Sequence, residues 1–165
     1  MKMWVISDLH FWHENIIKYS NRPFANVDEM NRKLIENWNS VVEADDKVIF
    51  LGDFAFGRHS LERDRNIFNR LNGHKEILLG NHDKKFNTRL GKTEETIKIN
   101  TENAEKYWLE VGFEKVYDKP FVLDSFFIFS HEPIEGINES QIFANIHGHI
   151  HDVELSVKNY VNVSV

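Results

Sequence analysis

"ANIHGHIHD", residues 144–152, places three histidines in five positions directly after a short apolar run. A soluble protein has little structural use for such a cluster. The question is which of His147, His149 and His151 hold something, and which other residues help them. The same arrangement recurs along the chain. "MWVI" (3–6) leads into Ser7-Asp8-Leu9-His10, and "KVIFL" (47–51) into Gly52-Asp53. "EILL" (76–79) leads into Gly80-Asn81-His82-Asp83, and "FFIF" (126–129) into Ser130-His131. Short apolar runs of this kind read as buried strands. In α/β sheets ligands gather at the carboxyl ends of strands. Five strand ends would therefore deliver Asp, His and Asn side chains to one edge.

The remaining pattern supplies the scaffold. "FVL" (121–123) is a further strand, joined to 126–129 by a hairpin turn at Asp124-Ser125. The tail "ELSVKNYVNVSV" alternates and reads as one or two more strands, with the chain ending inside that pattern. Val27, Met30, Leu34, Trp38 and Val41 recur at helical spacing behind an Asn26/Glu29 capping box. Ser60 is the expected N-cap of a helix carrying Leu61, Phe68 and Leu71. Ala104, Tyr107, Trp108 and Val111 form a third stripe, stopped by Gly112. Helices alternating with strands, then a β-rich C-terminal half, predict one α/β domain over 1–165 with two packed sheets.

Composition narrows the function classes. The chain has 165 residues, a net charge of −6 and no cysteine. That excludes disulfides and thiolate metal sites. It also argues against a broad basic surface for nucleic acid. "MKMWVI" is too short for a signal peptide or membrane span, so a cytoplasmic protein with no membrane partner is expected.

Asp, His and Asn offer oxygen and nitrogen donors to borderline divalent metals. Alternate positions in an extended segment point the same way, so Asp8 with His10, and His149 with His151, are expected to act as pairs. Seven such donors are too many for one ion and suit two. Gly52, Gly80 and Gly148 let the backbone come close to the site.

In order along the chain these residues resemble the calcineurin-like metallophosphoesterase superfamily, whose pattern is D-x-H, G-D, G-N-H-D/E, H and G-H-x-H. The resemblance spans nearly the whole chain. It implies a four-layer α/β/β/α sandwich with two mixed sheets. It also implies two metal sites, the first holding Asp8, His10, Asp53 and His151, the second Asp53, Asn81, His131 and His149. Asp53 bridges them, and His147 is left out. The ions are expected to be Mn²⁺, with Fe²⁺, Zn²⁺ or Ni²⁺ as alternatives. The implied reaction is hydrolysis of a phosphodiester or phosphomonoester by a hydroxide bridging the ions, attacking phosphorus in line. His82, oriented by Asp83, would protonate the leaving group. The opening "SDLHFWHENIIKYSNRPF" also resembles small bacterial and phage phosphoesterases. One departure matters: where protein phosphatases carry G-D-x-V-D-R-G, this chain reads Gly52-Asp53-Phe54-Ala55-Phe56-Gly57-Arg58. A protein-phosphatase function is therefore not expected.

Several residues have plainer readings. His13 and Glu14 are expected to begin a helix, and His59 and His74 to be loop residues. Arg22 and Arg58 are either solvated or in contact with substrate phosphate. Phe11, Trp12, Phe54 and Phe56 are core residues first and a stacking wall for substrate second. The alternatives to a hydrolase are a non-catalytic scaffold on the same fold and a nuclease of the same superfamily. Complete ligand motifs argue against the first, and chain length and charge against the second. The expected partner is a small phosphate ester, a nucleotide among the candidates, bound in an open groove. The stretch 84–130 reads as a helix and a hairpin and leaves little for a cap; no stable nucleic-acid complex is expected.

Overall fold

The computed structural model describes residues 1–84 and 94–165. Part of the 84–130 stretch therefore lies outside the described residues. The first sheet contains β1 (Met3–Ile6), β2 (Lys47–Phe50), β3 (His74–Leu78) and β4 (Lys115–Tyr117), in that order and all parallel. The second contains β5 (Phe121–Leu123), β6 (Phe127–Phe129), β7 (Ala144–His147) and β8 (Tyr160–Asn162). There β5 and β6 are antiparallel, whereas β6, β7 and β8 are parallel.

The apolar runs are continuous because the first sheet is buried on both faces. Val48, Phe50, Ile77 and Leu79 face a helical layer. Ile49, Leu51 and Leu78 point the other way, to Phe129 and Ile146 of the second sheet. The helical layer takes Ile16 from α1 (Ile16–Tyr19) and Met30, Leu34, Ile35 and Trp38 from α2 (Val27–Val41). It adds Ile67 from α3 (Leu61–Phe68) and Ala104, Trp108 and Val111 from α4 (Glu94–Val111). Each fully buried large side chain contributes about 1.5–3 kcal/mol. The two packed sheets with helices form the expected α/β fold, but only the second is mixed: the described strands of the first, expected to be mixed too, are all parallel. All four described helices lie against the first sheet, and Val122, Phe127 and Val161 on the second are exposed. The described layers are thus α/β/β, and an outer helical layer on the second sheet has no counterpart among the described residues.

Local signals read mostly as expected. Asn26 Oδ1 accepts from Glu29 N at 2.9 Å, while Glu29 Oε2 reaches back to Ala25 N at 2.7 Å, one residue short of the capping-box partner. Ser60 caps α3 through its carbonyl, which accepts from Asp64 N, and not through its hydroxyl. Asp124 and Ser125 both take positive φ, 50° and 62°, in the turn between β5 and β6. His74 is not a loop residue: it opens β3, pairing with Lys47 and with its N–H on Asp46 O. α3 stops at Phe68, before Leu71.

Candidate metal centre

All five ligand segments follow the carboxyl ends of β1, β2, β3, β6 and β7, where sheet geometry brings them together. The backbone reaches this edge differently from the expected extended pairs. Asp8 (φ 59°), His10 (φ 52°), Asp53 (φ 58°), His149 (φ 70°) and His151 (φ 49°) are all left-handed. Alternation along a strand is therefore not what pairs Asp8 with His10 or His149 with His151. Each such residue costs on the order of 1–2 kcal/mol, a strain typical of functional sites. The surrounding hydrogen bonds hold it: Asp8 N to Gly52 O and His10 N to Asp53 O, both at 3.0 Å.

Space is equally constrained. A Cβ on Gly52 would lie 2.5 Å from Gly80 N, one on Gly80 would overlap Asp53 Oδ1, and one on Gly148 would overlap Ser7 Oγ and Asp8 Oδ2. Glycine at these positions lets three loops pack through the ligands.

Two donor groups result. Asp8, His10 and His151 offer atoms all within 4.8 Å of one another, and so do Asp53, His131 and His149. His10 Nε2 lies 3.6 Å from both Asp8 Oδ1 and Asp53 Oδ2, and His131 Nε2 lies 3.5 Å from Asp53 Oδ2. Asp53 therefore stands between the groups. Asn81 Oδ1 completes the second, 3.0 Å from His131 Nε2 and 3.1 Å from His149 Nδ1. A further triplet, His10, Asp53 and His82, satisfies the same closeness, so His82 borders the donors rather than standing apart.

The donor set fits divalent cations. Asp8 Oδ1, His10 Nε2 and His151 Nδ1 are buried with no hydrogen-bond partner. Unpaired buried polar atoms are costly, and they belong to the three residues of the first donor group. Contacts at the opposite ring nitrogens orient the rings. His131 Nδ1 donates to Leu51 O at 2.8 Å, which aims Nε2 at the site. His10 Nδ1 lies 3.3 Å from His13 Nδ1. Burial, then the neighbouring His10 and His82, pull His13 down to about 4, so at neutral pH it is uncharged beside the donors. Burial works against charge on Asp8, yet contacts from His10 and His131 and the His149 N–H hold its carboxyl well below the usual range. Asp53 is likewise held low against burial, chiefly by His131. Burial opposes a charged His131, but Asp53 outweighs it and lifts the ring to about 9.

His82 lies at the rim, its Nε2 3.8 Å from Asp53 Oδ2 and its side chain 20% exposed. Its backbone N–H donates to Asp53 Oδ1 at 2.8 Å. Asp83 is fully buried, and its carboxylate accepts from the backbone N–H groups of Asp53 (2.7 Å), Gly80 (2.8 Å) and Phe54 (3.1 Å). Burial and the nearby Asp53 carboxylate push it up to about 6. These carboxylate contacts go to the backbone of the two neighbouring loops and not to the His82 ring. His147 is buried on β7 with Nδ1 against Gly148 O.

Other residues depart from their plainer readings. Arg22 is not solvated. It is buried and donates to Asp8 O (2.7 Å), Leu9 O (2.9 Å) and Val165 O (2.6 Å), bracing the first ligand loop. Arg58 is exposed. Phe11 and Phe54 are core, whereas Phe56 stacks on His13 at 3.6 Å and lies 4.9 Å from the His82 ring. His13 precedes α1 and joins the site instead of its helix. His59 is a loop residue as expected, but its side chain is buried and bonded to Asp64 and His82 O, which no local pattern marks. A cleft of about 460 Å³ opens beside His10, His82 and His151, with Phe56, Tyr19 and Ile150 in its walls. A second, of about 390 Å³, opens beside Asn81 and His131, with Lys84 and Lys119 at its margin.

No helix among the described residues is long and apolar enough to cross a membrane. An uncharacterized protein of Methanocaldococcus jannaschii is 52% identical over 83 residues, 50% of this chain and 47% of that protein. The gene 66 protein of Mycobacterium phage L5 is 37% identical over 87 residues, 48% of this chain and 39% of the phage protein. The matches thus span less than half of either relative. A protein of unknown function from Aquifex aeolicus shares the fold, with a TM-score of 0.67 at 23% identity over 99% of this chain and 90% of that one. The family model for calcineurin-like phosphoesterases matches residues 1–163 of the 165. Since that model runs through every ligand segment gathered at the sheet edge, the chain belongs to the calcineurin-like phosphoesterase family.

Proposed function

We propose that this protein hydrolyses small phosphate esters with two divalent metal ions, Mn²⁺ first among them. Asp8, His10, Asp53 and His151 hold one ion, and Asp53, Asn81, His131 and His149 the other. The observation that carries this reading is the set of buried, unpartnered donor atoms Asp8 Oδ1, His10 Nε2 and His151 Nδ1, beside the Asp53–Asn81–His131–His149 cluster. When bound, the ions supply positive charge that draws an anionic ester and acidifies water.

The chain's own groups do the rest. Asp53 sits between the donor groups and, through its Oδ1, fixes the backbone of His82. His82 keeps a proton at the open rim for the departing oxygen, a role worth about 10²–10⁴-fold in rate. Phe56 and His13 pack beside that ring and wall the cleft in which the departing group lies. Two open clefts favour broad acceptance of diesters and some monoesters, small nucleotides included, because loosely gripped substrates are weakly discriminated.

The test is hydrolysis of a panel of phosphate esters by protein stripped and reloaded with Mn²⁺. Turnover should require metal. His82→Ala should lose about 10²–10⁴-fold on alkyl leaving groups and much less on p-nitrophenolate, with metal content kept. Metal-loaded protein inert toward every ester would overturn the reading.

A further inference from the structure

The motifs leave His59 without a task, yet it occupies a built position. Its side chain is 3% exposed. Nδ1 lies 3.1 Å from Asp64 Oδ2, and Nε2 lies 3.2 Å from the carbonyl oxygen of His82. Asp64 has no exposed surface, a costly place for a carboxylate without donors. Donors are supplied: Tyr107 OH on α4 donates to Oδ2 at 2.7 Å and Arg63 Nε to Oδ1 at 3.0 Å. Burial opposes ionisation, but His59 and Tyr107 hold the carboxyl below its ordinary value. The His59 ring also packs on Trp108, centroids 5.2 Å apart, and Trp108 Nε1 donates to Asp83 O at 3.2 Å. The two consecutive carbonyls of His82 and Asp83 are thus held from the helical side. On the opposite side the His82 N–H is held by Asp53.

We propose that His59, anchored by the buried carboxylate of Asp64, is a positioning residue for His82: it grips the carbonyl of the proton donor's own residue and so sets where that ring stands. The proposal rests on the reading of His82 given above. His59 lies on the loop ahead of α3, so α3 and α4 reach the site through it. It touches no reacting atom. A misplacement of about 1 Å costs roughly 10²-fold where geometry decides the rate. The loss should appear only where a proton is needed.

The experiment compares His59→Phe, His59→Gln and His82→Ala, all loaded with Mn²⁺. The substrates are phosphodiesters graded from a p-nitrophenyl to an alkyl leaving group. His59→Phe keeps the ring packing and drops both hydrogen bonds. It should lose about 10- to 100-fold in kcat on the alkyl ester and less than about 3-fold on the p-nitrophenyl ester, with KM and metal content near wild type. His59→Gln, which restores a donor toward the His82 carbonyl, should recover most of that loss. Asp64→Asn provides a second route should His59→Phe fold poorly; it weakens the anchor and should show the same graded loss to a smaller extent. If His82→Ala gives a graded loss while the His59 and Asp64 variants lose equally on all esters or not at all, the positioning role is overturned and the hydrolase reading stands. If His82→Ala itself gives no graded loss, the proton-donor reading falls and the positioning role with it.

Discussion

Gly148→Ala tests whether the ligand loops are as tightly interlocked as the structure indicates. The new methyl would overlap Ser7 Oγ and Asp8 Oδ2 and lie 2.5 Å from Ser7 Cβ. Ordinary contact needs about 3.5–4 Å, so something must move by roughly 1 Å. Neither neighbour has room, since Ser7 and Asp8 are both completely buried. Ser7 Oγ donates to Leu51 O at 2.9 Å. Asp8 Oδ2 accepts from His149 N at 2.8 Å and Ser164 Oγ at 2.9 Å. Displacing Asp8 gives up two hydrogen bonds to a carboxylate, each worth about 1.5–3 kcal/mol, and overpacking alone costs about 1–3 kcal/mol. Allowing for relaxation, we expect a loss of about 2–5 kcal/mol in urea unfolding. Metal sites tolerate about 0.2 Å in ligand distances, so affinity at the Asp8–His10–His151 group should fall sharply. Gly136→Ala is the control. Gly136 has φ 87° but no atom within 4 Å of a built Cβ. It should cost only backbone strain, about 1–2 kcal/mol, and leave metal binding intact. A Gly148→Ala protein that bound metal like wild type and unfolded within about 0.5 kcal/mol of it would refute the interlocking.

Two further outcomes follow from buried polar groups. Arg22→Met should cost about 2–4 kcal/mol and weaken metal binding, because it strips donors from the Asp8 and Leu9 carbonyls, and Arg22→Lys should not restore the three-way contact; a wild-type denaturation midpoint in either variant would contradict this. Burial pulls Lys75 down from 10.5 to about 8, so between those values the unfolded chain binds more protons and stability should rise with pH. In unfolding measured from pH 7 to 10.5, wild type should gain on Lys75→Met across that window, and a constant difference would sink the assignment.

The strand ends were readable because β1, β2 and β3 are buried on both faces, leaving abrupt boundaries between apolar and polar residues. β4 escaped notice: it is an edge strand of three residues, Lys115–Tyr117, with only a partly buried face. The candidate donors were visible as residue types in order, but the left-handed backbone at five of them was not. That conformation is imposed by neighbouring loops, such as Phe11 N on Phe54 O, and not by local sequence. The contacts of Arg22 and the side-chain burial of His59, a loop residue as expected, were hidden for the same reason. Their partners are distant: Arg22 reaches Val165 across 143 positions and His59 reaches His82 across 23. A charged or ring side chain in a polar stretch carries no sign of such burial.

The central claim is that one carboxylate, Asp53, joins two metal sites. Metal content by elemental analysis, after stripping and reloading with Mn²⁺ under saturating conditions, tests it most directly. Asp53 Oδ2 lies within 3.6 Å of His10 Nε2 and 3.5 Å of His131 Nε2, one from each donor group. Wild type should therefore saturate at about two ions per chain, and Asp53→Asn should weaken both sites together rather than one. Saturation of wild type at one ion or none, or an Asp53→Asn protein that kept one site at full affinity, would contradict the account.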